Sequence, residues 1–166
     1  MLYTEAQLDQ YLARIRQYIP QMINMTWGWG RQVRLVNLFP PECVDAMDDF
    51  IVTEINELDA CLRNHLWTAA TLLAFRIFED TIKVHVKYDL KKSIRNLDLK
   101  ACINLMRKTC NQQYVNQMHE LRKIRNRAMH PKDQFDARSA VDIVLQVCDI
   151  TMFVYAIPAS DQSLAS

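Results

Sequence analysis

Apolar residues recur along most of this chain at the three- and four-residue spacing of helices. A first helix is predicted to open at Thr4, whose hydroxyl can cap the backbone while Gln7 reaches back three residues later. It extends to about Ile19, where Pro20 is expected to kink or end it. From Pro41, a residue suited to a first helical turn, the positions Val44, Met47, Ile51, Ile55, Leu58 and Leu62 keep helical register. They predict one long amphipathic helix reaching about Asn64. The same periodicity places further helices over about Trp67–Leu90, Asp98–Cys110, Tyr114–Met129 and Ala137–Ala156. Between the first two helices the run MTWGWGRQVRLVNLFPP, with Trp27, Trp29 and both glycines, reads as an irregular or partly helical connection.

Half of the residues are hydrophobic and only 2 are glycine, a balance that supports helices over tight hairpins. Long helices joined by short links predict an all-α chain, a helical bundle of roughly four main helices with additional helices. At 166 residues one domain is expected: a helix and connection over 1–40, a core bundle over 41–158 and a tail over 159–166. No internal repeat or low-complexity tract interrupts it.

Several chemistries find no support in the residues. The run from Val141 to Ile157 is the most apolar, yet it carries Asp142, Gln146 and Asp149. Each central Asp costs about 2.5–3.5 kcal/mol on membrane-insertion scales, so a buried or interface helix is expected and no membrane span. The opening residues MLYTEAQLDQ lack the basic and apolar regions of a secretory signal, and a cytoplasmic protein is the expectation. Cys43, Cys61, Cys102, Cys110 and Cys148 are odd in number and form no CxxC pair, which predicts reduced core thiols. His65, His85 and His119 lack ligand partners at metal-binding spacing, and Gly28 and Gly30 open no phosphate loop. No metal and no cofactor are expected.

Charge is distributed unevenly. Residues 1–82 carry 6 Lys/Arg against 11 Asp/Glu, residues 83–132 carry 13 against 3, and residues 133–166 carry 1 against 5. The basic middle fits a polyanion footprint and, equally, a solvated face paired with the acidic N-terminal segment.

Two charges stand on apolar stripes. Glu79 falls among Leu72, Phe75, Ile82 and Val86, while Arg76, Asp80, Lys83 and Lys87 collect on a separate polar stripe. Arg125 falls among Tyr114, Met118, Leu121, Ile124 and Ala128. An isolated charge facing a core is costly, so each implies a partner, and the simplest pairing is a bidentate bridge between Glu79 and Arg125. Such a pair can serve chemistry or only fix helix register. Five residues after Arg125 comes His130, followed by Pro131, which places the imidazole at a helix end. An exposed histidine beside an arginine can move protons near a charged phosphate, and it can also simply interact with the helix dipole.

The run LRKIRNRAMHP, Leu121–Pro131, resembles the signature of the HEPN family, an Arg commonly followed by Asn and preceding a His by a short fixed interval. AFRIFEDTIK, Ala74–Lys83, is similar to the earlier HEPN helix that supplies an acidic residue near that Arg. Together the matches cover about 20 of 166 residues. The resemblance implies a four-helix up-and-down bundle that commonly dimerises, bringing two motifs into one RNA-cleaving cleft in a defence, stress or toxin-like setting. It implies that Arg125 binds phosphate, His130 transfers protons, Asn126 orients and Glu79 supports Arg125. Arg122, Arg127, Lys132, Lys83 and Lys87 are the candidate RNA-binding side chains. Toxin members paired with nucleotidyltransferase antitoxins usually carry a Tyr two residues past the His, where this chain has Lys132. Other HEPN domains keep the fold and serve as noncatalytic RNA-binding or protein-interaction modules, which is the alternative expectation.

Overall fold

The computed structural model describes residues 2–24, 33–128 and 134–157, and these form an all-helical bundle. In chain order its helices are α1 (Glu5–Asn24), α2 (Pro41–Ala46), α3 (Asp49–Arg63), α4 (Trp67–Tyr88), α5 (Leu99–Met106), α6 (Gln112–Ala128) and α7 (Ala137–Ala156). A 3₁₀ turn at Leu35–Leu38 precedes α2.

Helix α4 is apolar on most sides, with Ala74, Ile77, Phe78, Ile82 and Val86 all buried, so it must be enclosed. It packs against α3, α5 and α7, and α7 packs in turn on α1, α2 and α6. Helix α7 is long and apolar enough to cross a membrane, and most of that stretch is buried within the protein, the first of the two alternatives, buried or interface helix, that its sequence left open. Side-chain caps fix several starts: Asp98 accepts from the Ala101 N–H, Asp136 from Ser139, and Asn111 from Tyr114. The Thr4–Gln7 capping box forms as expected, with Thr4 N–H donating to Gln7 Oε1 at 2.8 Å and Gln7 N–H to Thr4 Oγ1 at 3.2 Å.

Three expectations about elements change. Helix α1 continues through Pro20 to Asn24. Pro20 is exposed, so the carbonyl it leaves unpaired faces water, while Ile19 is buried and Ile23 packs on the core. Past the proline, His65 Nε2 donates to the Ile23 carbonyl at 2.9 Å. The long helix predicted from Pro41 is broken into α2 and α3 by extended backbone at Met47 and Asp48. An unbroken helix would set Asp45 and Asp49 one turn apart in repulsion, whereas the break moves Asp48 and Asp49 to the positive end of α3. Helix α5 also stops at Met106, short of Cys110, in a turn where Cys110 N–H bonds the Met106 carbonyl.

One apolar cluster takes in Leu8, Ile15 and Ile19 of α1 together with α3 to α7, so the core begins well before residue 41. Buried Asp59 fastens this N-terminal part. It accepts from the Leu35 N–H at 2.9 Å and from Arg63 Nε at 2.5 Å, and Arg63 also bonds the Tyr18 hydroxyl and the Val33 carbonyl.

Candidate functional site

Helices α4 and α6 both lie against α5 and α7, and that shared packing sets one face of each toward the other. On α4, Glu79 follows buried Phe75 by one turn and precedes buried Ile82 by another. On α6, Arg125 stands one turn after Leu121 and just before buried Ala128. The two side chains meet: Arg125 Nη2 donates to Glu79 Oε2 at 2.5 Å. The Glu79 side chain is 20 % exposed and that of Arg125 27 %, so the pair sits at the rim of the core. Partial hydration lowers the desolvation cost that a fully buried pair carries.

The contact differs from the expected bidentate bridge. Lys83, one helical turn after Glu79, donates to Glu79 Oε1 at 2.6 Å and takes the second oxygen. Arg125 turns its other terminal nitrogen to Asn126 Oδ1 at 3.3 Å. Lys83 therefore leaves the polar stripe assigned to it and joins the pair, while Asn126 steadies the guanidinium from its own helix.

Leu72, Phe75, Arg76, Glu79, Asp80 and Arg125 line an open groove of about 410 Å³ over this pair. At its α3 side, Glu54 is almost wholly buried, with Oε1 2.6 Å from the Nε of exposed Arg76. Asp80 Oδ2 lies 3.7 Å from the same nitrogen. Burial and then the nearby Asp80 carboxylate raise Glu54 above the usual carboxylate range, and burial raises Asp80 as well. The groove thus presents two guanidinium groups that can hold an anion, beside carboxyls biased toward keeping a proton. Glu54, Arg76 and Asp80 were not singled out from the sequence as site residues. Glu54 falls between Ile51 and Leu58 on the buried stripe of α3, the same signal that marked Glu79 and Arg125.

The other predicted residues divide. His130 and Lys132 lie outside the described residues, as do Trp27 and Trp29. Lys87 is exposed, and its amine donates to the Tyr88 hydroxyl at 3.0 Å, apart from the Glu79 pair. Arg127 is exposed in the last turn of α6, and Arg122 is half-buried on the same helix.

A second polar cluster is structural in form. His85 is 3 % exposed, with Nδ1 2.6 Å from Asp89 Oδ2 and Nε2 3.0 Å from Thr109 Oγ1, and it ties the end of α4 to the turn after α5. Burial lowers its pKa, with Asp89 acting in the opposite sense. The thiols of Cys43, Cys110 and Cys148 are likewise raised by burial, Cys110 to about 11, which suits core packing and not nucleophilic attack. Compared with protein-family models, curated proteins and solved structures, the chain has no match.

Proposed function

We propose that this chain is a metal-independent endoribonuclease of the HEPN type, acting as a cytoplasmic homodimer in defence or stress. The observation that carries the reading is the cross-helix ion pair of Glu79 and Arg125, with Asn126 held against the same guanidinium. Its members stand in the order and on the helices that the resemblance implies, five residues ahead of His130.

In this reading an RNA 2′-oxygen attacks the adjacent phosphorus, the bond to the 5′-oxygen breaks, and a 2′,3′-cyclic phosphate and a 5′-hydroxyl result. One proton leaves the 2′-hydroxyl and one reaches the departing 5′-oxygen, with His130 of each protomer available for the transfer. Arg125 faces the charge that develops on the phosphate, Glu79 and Asn126 keep its fork aimed, and no metal is required. A noncatalytic RNA-binding or protein-interaction module is the second reading, favoured by the full occupation of the Glu79 carboxylate, as in a pair that only sets helix register.

The test is cleavage of single-stranded RNA in EDTA by the purified protein, with product ends identified. Cyclic phosphate ends are expected, and His130→Ala should abolish cutting while leaving the helical circular-dichroism signal intact. Cutting that survives the substitution would end the catalytic reading.

A further inference from the structure

Helix α5 and its first following residue send Lys100, Asn104 and Arg107 to one exposed face, at i, i+4 and i+7. Helix α6 packs on α5 and presents His119, Arg122 and Lys123 at i, i+3 and i+4. The two faces are joined where His119 Nε2 lies 3.2 Å from Asn104 Oδ1. Lys100, Arg107 and Arg122 form no ion pair with any described residue, and Lys123 is matched by Glu120 at 2.6 Å. Four cations thus share one face with one carboxylate. Burial, and then these same four cations, hold the His119 imidazole below its ordinary range.

Uncompensated like charge on a surface repels itself, and a bound polyanion relieves it. The form of the face selects among polyanions. The exposed large apolar side chains of the described residues are Leu2, Val33, Phe50, Leu66, Leu72 and Tyr88, and none stands on α5 or α6. A protein partner would be expected to centre on such anchors. A nucleic-acid strand instead needs cations spaced along a track, with polar groups between them.

We infer that the α5–α6 face is a nucleic-acid backbone track, with Lys100, Arg107, Arg122 and Lys123 meeting phosphates and the His119–Asn104 pair offering polar edges to sugar or base. Along α6 the track runs from His119 to Asn126, about 10 Å, and Asn126 touches Arg125. A strand lying on it reaches the groove over Glu79. The inference uses residues other than that ion pair and rests on the proposed function only in taking the strand to be RNA.

The test is fluorescence anisotropy of a labelled oligo(U) of about 12 nucleotides, within the span such surfaces cover. Lys100→Glu/Arg107→Glu/Lys123→Glu alters three exposed side chains and should keep the wild-type circular dichroism. It is expected to weaken binding at least tenfold and to flatten the salt dependence by about two in log–log slope, at about 0.7 per lost phosphate contact. Arg14→Glu/Arg34→Glu/Arg138→Glu, with the same change in net charge on other surfaces, should stay within about twofold of wild type. In NMR titrations oligo(U) should raise the His119 pKa. Equal losses in the two triple variants, or a His119 pKa that does not respond, would overturn the inference. So would polyglutamate competing as well as oligo(U) on the wild type and losing that ability in the track variant, which would mark a docking surface for an acidic protein. His130→Ala should bind normally, so cutting absent from every protein while binding follows the track removes the nuclease reading and leaves this one standing.

Discussion

Replacing Arg125 by Ala takes from Glu79 Oε2 its donor at 2.5 Å, while Oε1 keeps Lys83 at 2.6 Å. Stripping the partner from a fully buried carboxylate costs about 3–5 kcal/mol, and an exposed pair contributes about 0–1 kcal/mol. With side chains 20 % and 27 % exposed and one partner retained, the loss should fall between these limits, at about 1–2 kcal/mol. In a chain of this size that corresponds to a melting point lower by about 2–8 °C. A double-mutant cycle with Glu79→Gln, followed by urea denaturation, should return a coupling of about 1 kcal/mol. Repeating it in 1 M salt, where screening reaches about 3 Å, should weaken the coupling without removing it. Adding Lys83→Met should push the Arg125→Ala loss toward about 3 kcal/mol, because the carboxylate then has no cation. A coupling of zero in both salts would refute a structural role for the pair. A loss well above 3 kcal/mol in the single variant would refute its rim position.

Three further outcomes follow from buried charges. The His85 pKa is depressed by burial, so the unfolded chain takes up the proton first as pH falls through about 6.5. The stability it contributes is complete above that value and lost below it, so the urea midpoint should fall between pH 7.5 and 5 and His85→Gln should flatten the fall; an unchanged slope in the variant counts against this. Glu54 is shifted the other way, so its contribution is present below about pH 4 and lost as pH rises. Glu54→Gln should therefore exceed wild type by about 1 kcal/mol at pH 8 and match it near pH 4, and equal curves at both pH values would show the carboxylate to be well solvated. Asp59→Ala strands the Leu35 N–H and leaves the Arg63 guanidinium without its carboxylate, with only the Tyr18 hydroxyl and the Val33 carbonyl as partners, and should cost about 2–4 kcal/mol in chemical denaturation; a loss under about 1 kcal/mol would show that water replaces the carboxylate.

Helix α7 was legible to the residue because apolar positions recur at helical spacing from Ala140 to Ala156; the Asp136 cap that starts it was not read from the sequence. The break between α2 and α3 was not. Val44, Met47 and Ile51 keep helical spacing across it because the extended pair at Met47 and Asp48 still delivers Met47 to the core, at 7 % exposure. Periodicity records which residues are inside and is blind to a short backbone excursion that preserves the face. Glu79 and Arg125 could be paired from sequence because charge on an apolar stripe demands compensation. An apolar stripe gives a direction and no depth, so it could not show a rim pair with room for Lys83, and Glu54 obeyed the same rule unnoticed.

That third partner bears on which residue depends on which. Lys83 alone, one turn along the same helix, supplies Glu79 with a countercharge, so neutralising the carboxylate does not require an arginine on α6. Arg125 has no such local substitute: its apolar sector offers Asn126 as a neutral neighbour and Glu79 as the carboxylate that fixes its fork. The dependence therefore runs from arginine to glutamate, the arrangement expected where an aimed guanidinium is the group that matters. Arg125→Met, which keeps an unbranched stem over Leu121 and Ala128, should cost under about 1 kcal/mol of stability and yet abolish RNA cleavage in EDTA. Undiminished cleavage by that variant would return the pair to the role of a helix-register device.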